Sequence, residues 1–139
     1  MILLDTNVVS DTLQPAPDER VAVWLSRQPR AALFTSTVTR AELLYGVRLL
    51  PDGRRRDHLF EAVSRIVDEG FAGRVLAFDS DAADAYADIA SSQRKGGRPI
   101  SQFDAMIAAI ARSRGAVLAT RNTKDFDDCG VDVTNPWKA

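Results

Sequence analysis

The sequence holds one cysteine, Cys129, and one histidine, His58. A single cysteine excludes an internal disulfide framework and a cysteine-rich zinc knuckle. A single histidine excludes a multi-histidine metal site and argues against a Ser-His-Asp triad. Long apolar runs are missing as well, since no stretch reaches the roughly 18 consecutive apolar residues of a membrane span. Met1-Ile2-Leu3-Leu4-Asp5 carries no basic region leading into an apolar stretch, so no signal peptide is expected and the cytoplasm is the expected compartment. Lysine and glutamate are scarce. Of the 18 basic residues 15 are Arg, and of the 19 acidic residues 15 are Asp. GC-rich coding explains an Arg bias, but Arg is also the residue suited to planar contact with phosphate or carboxylate. The net charge of −1 gives no global nucleic-acid signature, so an RNA or DNA partner would have to be held by a local basic patch or by metal ions.

What is present is an ordinary globular composition, 45% apolar and 27% charged over 139 residues, enough for a single domain spanning 1–139. No repeat or linker divides the chain. Short apolar runs alternate with helical periods. Strands are expected at Ile2–Leu4, Ala32–Thr35, Arg74–Phe78, Ala116–Thr120 and Val131–Val133. Between them the 3.6-residue period predicts helices at Asn7–Leu13, after Asp18 (Val21, Trp24, Leu25), at Val38–Leu50, from Arg55 to about Asp68, from Ser80 to Arg94, and from Ser101 to Arg114, with a short turn at Thr123–Phe126. Strands alternating with helices predict an α/β fold around a parallel sheet, whose ligand crevice lies outside the carboxyl ends of the strands.

Asp5 ends the first strand and should stand at that edge. The segment Thr120-Arg121-Asn122-Thr123-Lys124-Asp125 follows the fourth strand to the same edge. Glu42 falls in the first turns of the helix after strand two, and Asp104 in the first turn of the helix before strand four. Carboxylates that share a crevice need a compensating charge, and an all-oxygen donor set suits Mg²⁺ or Mn²⁺ rather than Zn²⁺. A second reading stands beside this one. Thr39-x-x-Glu42 and Ser101-x-x-Asp104 both have the pattern of a capping box, and Asp5 is placed to cap the helix that follows it.

The order of motifs resembles that of PIN-domain ribonucleases of the VapC/FitB type, the toxins of bacterial toxin–antitoxin pairs. Met1-Ile2-Leu3-Leu4-Asp5-Thr6-Asn7-Val8 resembles the family's opening, Thr37-Val38-Thr39-Arg40-Ala41-Glu42-Leu43-Leu44-Tyr45-Gly46 its second motif, and Gln102-Phe103-Asp104-Ala105-Met106-Ile107-Ala108-Ala109 its third. Leu118-Ala119-Thr120-Arg121-Asn122-Thr123-Lys124-Asp125-Phe126 resembles the fourth, and Val133-Thr134-Asn135-Pro136-Trp137 is similar to the ending of the FitB-like branch. The resemblance implies a PIN-like fold, a central parallel five-stranded sheet flanked by helices. It also implies Mg²⁺-dependent (or Mn²⁺-dependent) endoribonuclease activity leaving a 5′-phosphate and a 3′-hydroxyl. Carried onto this sequence, Asp5 and Asp104 would hold the ion, Glu42 and Asp125 would complete the catalytic set, and Thr6, Asn7, Thr120 and Asn122 would orient carboxylates or water. The implied partners are an RNA substrate, a VapB/FitA-like antitoxin, a second copy of the chain, and DNA only through the antitoxin, with no membrane. One position departs from the pattern: many relatives carry an acid directly after Thr-Arg, where this chain has Asn122, an oxygen donor without charge.

Arg54 and Arg55 in the densest basic run, and Arg94, Lys95 and Arg98 around Gly96-Gly97, are candidate RNA contacts, against the plainer reading of solvated surface. Trp24 and Trp137 are expected to pack, Cys129 to be a buried bystander, and His58 has no assigned role. Two other functions compete with the nuclease. An aspartyl phosphatase of the haloacid-dehalogenase type would use Asp5 as nucleophile, but position 7 is Asn where its acid/base Asp belongs. A non-catalytic PIN-like binding module would rest on Asn122 alone.

Overall fold

The computed structural model describes residues 1–139. β1 (Ile2–Leu4) passes into α1 (Thr6–Thr12), and α2 (Glu19–Ser26) leads to β2 (Leu33–Ser36). α3 (Thr37–Arg48) and α4 (Arg54–Arg65) follow, and α4 runs on into a single π-helical turn, Ile66–Gly70. β3 (Val75–Leu76), α5 (Ser80–Lys95), α6 (Gln102–Arg114), β4 (Val117–Ala119), a 3₁₀ turn (Thr123–Phe126) and β5 (Val133–Thr134) complete the chain. All five strands are parallel, in the order β3-β2-β1-β4-β5. The expected α/β architecture is therefore present, with β1 at the centre.

Every expected element is present, with shifted ends. β3 and β5 shrink to two residues each, and β5 lies at Val133–Thr134 rather than Val131–Val133. The expected helix from Arg55 to Asp68 gives up its last turn to the π segment. One helix start has consequences for the site. α3 begins at Thr37 and is capped by Ser36, whose Oγ accepts from the Thr39 N–H at 3.1 Å. Thr39 thus lies inside the helix and the expected Thr39-x-x-Glu42 capping box does not form, because the hydroxyl three residues upstream takes that role.

The strand period of two separates the core into two layers. Leu3 and Leu118 point to one face, where α5 packs against α6 and Ile107, Ala108, Ile110 and Ala111 are shielded from solvent. Leu4 and Ala119 point to the other face, onto Val8, Val9, Val21, Trp24 and Trp137. Both tryptophans pack as expected, and Cys129 is buried in the first layer. Gly115, with φ +64°, ends α6 in the left-handed conformation that glycine adopts without a Cβ penalty and turns the chain into β4. No helix is long and apolar enough to cross a membrane.

Candidate active site

The sheet continues past its regular ends, and that extension places the site. The Asp5 N–H donates to the Ala119 carbonyl at 2.9 Å, and the Thr120 N–H to the Thr134 carbonyl at 2.9 Å. Asp5 and Thr120 are thereby fixed side by side at the carboxyl ends of β1 and β4. The Thr120 hydroxyl donates to Asp5 Oδ2 at 2.7 Å, while Asp5 Oδ1 accepts from the Thr6 N–H at 2.8 Å. Asp5 is the N-cap of α1 and also a member of the acidic cluster, so the two readings of this residue hold together.

The Thr120 oxygen accepts in turn from the Asn122 N–H at 3.1 Å and from Asn7 Nδ2 at 3.4 Å, and Asn7 Oδ1 accepts from the Arg121 N–H at 3.4 Å. With its own proton committed to the carboxylate, this buried hydroxyl is held from three sides. Glu42 is positioned by a separate chain of hydroxyls. Thr6 Oγ1 donates to Glu42 Oε1 at 2.8 Å, Thr39 Oγ1 lies 3.0 Å from Thr6 Oγ1, and Ser36 Oγ donates to Thr39 Oγ1 at 3.4 Å. Asp104 stands in the first turn of α6, where its N–H donates to the capping Ser101 Oγ at 3.2 Å. Here the serine half of the expected capping box forms, and the Asp104 carboxylate, half-buried, lines the cleft instead of reaching back to the Ser101 N–H.

The electrostatics show that these groups share a field. Burial pushes the Asp5 carboxyl up from its ordinary 3.8 to about 6, against the lowering effect of the Thr120 and Thr6 hydrogen bonds, and the charges of Asp104 and Glu42 add to the rise. Burial also raises Glu42, opposed by the Thr6 hydrogen bond and assisted by the Asp104 charge. Asp104 is raised by burial against its Ser101 hydrogen bond, with the Asp125 charge adding to the rise. Each carboxylate thus feels another one, as the sequence argument required. Asp104 and Asp125 line an open cleft of about 360 Å³ together with Arg98, Ser101, Lys124 and Asp127. Asp5 and Glu42 are not in that wall, and their link to it is through the Asp104 charge.

The donor set is all oxygen, as expected for a hard cation. No three of the acidic, histidine or cysteine side chains close into a ready-made ligand cage. An oxygen set of this kind suits a hard cation, such as Mg²⁺, that would keep several of its waters and take one or two carboxylates.

The other candidates fall in several places. Asn122 makes no side-chain hydrogen bond and sits beside a second cleft, on the far side of Lys124 and Asp125. Arg98 reaches the acidic cleft but pairs with Asp128 at 2.6 Å. Arg94 and Lys95 end α5 without lining that cleft. Arg54 and Arg55 begin α4 and, with Leu13, His58 and Leu59, line a separate groove that shares no residue with the acidic cleft. Sequence reasoning missed the Ser36–Thr39 relay, having read Thr39 as a helix cap. It also missed Asn135, whose Nδ2 donates to the Arg121 carbonyl at 3.3 Å. The turn-forming Asn-Pro pair beside Trp137 was the available signal.

A parallel sheet covered on both faces, with acidic residues gathered beyond the ends of β1 and β4, defines the class, and direct comparison agrees. The PIN domain family model matches residues 2–131, and the chain belongs to the PIN domain family. It is 42% identical over 137 residues to Toxin FitB of Neisseria gonorrhoeae, covering 99% of each chain. It is 40% identical over 138 residues to VapC ribonuclease Y4jK of Sinorhizobium fredii, again covering 99% of each. A solved structure of FitAB bound to an IR36 DNA fragment superimposes with a TM-score of 0.91 at 42% identity, over 99% of this chain and 96% of that one.

Proposed function

We propose that the protein is a metal-dependent endoribonuclease and the toxin of a VapBC/FitAB-type toxin–antitoxin pair. The observation that carries the chemistry is the mutually repelling cluster of Asp5, Glu42 and Asp104, delivered by β1, α3 and α6 to one sheet edge without a histidine or cysteine among them. Similarity to VapC ribonuclease Y4jK and Toxin FitB supports the reaction class and the toxin role.

Asp5 and Asp104 would hold Mg²⁺, or Mn²⁺ in its place. Such an ion supplies neutralisation of the charge that develops on the phosphoryl oxygens and a lowered pKa for the attacking water. Thr120 and the Thr6 N–H keep both Asp5 oxygens oriented, so no reorganisation is needed when the substrate arrives. Thr6 holds one Glu42 oxygen in place through its hydroxyl. Asp125, on the short turn after β4, would sit beside the water on the cleft side, while Asn122 lines the neighbouring cleft. The expected products are a 5′-phosphate and a 3′-hydroxyl.

The phosphatase reading gains nothing from the geometry, because Asn7 is spent on Thr120 and the Arg121 N–H and presents no acid beside Asp5. The binding-module reading is disfavoured by the Thr120 and Thr6 hydroxyls, which spend buried polar contacts on carboxylates that a binding surface would not need.

The partners follow from the same reading: a second copy of this chain, and a VapB/FitA-like antitoxin that carries the DNA-binding surface and lays an arginine into the carboxylate cluster in place of the ion. The compartment for this pair is the cytoplasm. Incubating purified protein with structured RNA, with and without Mg²⁺ or Mn²⁺, tests the activity. Cleavage should require the ion and vanish in Asp5→Asn. Ion-independent cleavage, or cleavage undiminished in that variant, refutes the reading.

A further inference from the structure

Immediately beyond the acidic cleft lies a second one, of about 480 Å³, and Lys124 and Asp125 belong to the walls of both. Its character is the opposite of the first: Arg20, Arg121, Lys124 and Lys138 line it, with Asp125 as its single acid. Arg20 is already neutralised by a two-pronged contact with Asp18. Arg121, Lys124 and Lys138 pair with no carboxylate. Three uncompensated cations therefore crowd one concavity of a protein whose net charge is −1.

The arginine among them is held ready. Its guanidinium lies over the ring of Trp137, 5.2 Å from the centroid, and that tryptophan is anchored in the second core layer. Its N–H donates to Asn7 Oδ1 and its carbonyl accepts from Asn135 Nδ2, so the backbone beneath it is tied on both sides. A guanidinium fixed in this way loses little entropy on binding and presents a planar fork that matches a phosphate. The one apolar wall, Trp137, is covered by that same guanidinium, which leaves nothing for an apolar peptide side chain to grip.

We infer that this basic cleft is a phosphate-binding subsite for the RNA backbone adjoining the scissile bond, built from Arg121, Lys124 and Lys138. The inference rests on the nuclease reading and extends it by stating on which side of the acidic cluster the strand runs. The physical need is plain: a polyanion approaching Asp5, Glu42 and Asp104 is repelled, and cations one step along the strand hold it there without reading its bases. The same turn thus serves both halves of the site. Thr120 holds the carboxylate, and the next residue holds the neighbouring phosphate.

The test measures binding apart from cleavage. A fluorescein-labelled single-stranded RNA of mixed sequence is titrated by anisotropy with the chain in EDTA, across a series of salt concentrations. Each phosphate contact contributes about 0.7 to the slope of log K against log salt. The double variant Lys124→Ala/Lys138→Ala should flatten that slope by about 1.4, and Arg121→Ala by about 0.7, with Arg121→Lys recovering part of the loss. Arg65→Ala, on α4 and outside the cleft, should leave it unchanged. Arg121 also packs on Trp137, so the lysine pair keeps the test decisive if Arg121→Ala fails to fold. Slopes that match wild type in both the double variant and Arg121→Ala, in a protein that binds and cuts RNA, overturn the subsite and leave the nuclease reading standing. An equal loss in Arg65→Ala also overturns it. A wild-type chain that neither binds RNA nor cuts it with Mg²⁺ present overturns both.

Discussion

Replacing Asp5 by Asn should stabilise the protein in the absence of divalent ions, and only above a certain pH. The Asp5 carboxyl is 4% exposed and is raised from 3.8 to about 6 by burial and by the charges of Asp104 and Glu42. A carboxyl raised in the fold binds its proton more tightly folded than unfolded, so its ionisation opposes folding. The cost is absent below the unfolded value near 4, grows as pH rises towards 6, and is complete above that. Two decades of proton affinity, at about 1.4 kcal/mol each, put the cost at about 3 kcal/mol at pH 8. Asn escapes the cost but cannot accept from both the Thr6 N–H and the Thr120 hydroxyl as the two carboxylate oxygens do. Losing one such contact takes back about 1 kcal/mol. The expected outcome is a net gain of about 2 kcal/mol for Asp5→Asn at pH 8 and EDTA, shrinking and then reversing by pH 4. Urea denaturation of both proteins at several pH values measures it. A gap that does not change with pH, or a variant less stable than wild type at pH 8, would show that burial and repulsion do not raise this carboxyl.

Metal-dependent cleavage should fall by about tenfold for each pH step below 6, because the ion competes with the proton for Asp5; a pH–rate profile that stays flat to pH 5 contradicts this. Thr120→Val removes the hydroxyl that donates to Asp5 and strands the Asn122 N–H, so it should cost about 1–3 kcal/mol of stability and weaken Mg²⁺ binding read by thermal shift, with Thr120→Ser restoring both. Thr35→Val should stabilise by about 1 kcal/mol in the same denaturation assay, because Thr35 Oγ1 is fully buried without a partner and Val fills the same shape. Gly115→Ala, forced into φ +64°, should cost about 1 kcal/mol while leaving cleavage intact, since its Cβ meets no neighbour and only the backbone objects.

The sheet was legible in the sequence because its strands are short apolar runs punctuated by turn residues, and the central run delivers Asp5 to the edge where parallel sheets bind ligands. The edge strands were read too long for a physical reason. β3 and β5 each have a neighbour on one side only, and two residues suffice to close their ladders. The start of α3 was misplaced because Ser36, Thr37 and Thr39 all carry a capping hydroxyl. Which of them caps depends on where β2 releases the chain, and pairing with β3 through Ser36 fixes that point. On spacing alone Glu42 and Asp104 read as well for helix caps as for an acidic set, and the resemblance of the motifs was what joined them to Asp5. Their supporting hydroxyls were only half readable, because Thr6 and Thr39 lie 33 residues apart and meet only through tertiary packing. The basic cleft is invisible in the sequence for the same reason, since Arg121 and Lys138 come from different segments and meet only in the fold.

The strand order carries a consequence for synthesis. β1 is made first and takes the middle of the sheet, yet one of its two neighbours, β4, comes more than a hundred residues later. The hydrogen bond that completes Asp5 comes from Thr120, 115 positions downstream. A chain emerging from the ribosome therefore carries the Asp5 carboxylate long before it can hold it in place, and non-local pairing of this kind is closed late in folding. Any nascent or prematurely ended chain that lacks β4 has no partner for half of β1 and no hydroxyl for Asp5. On the ribonuclease reading proposed above, a copy that stops before β4 would lack the assembled carboxylate cluster.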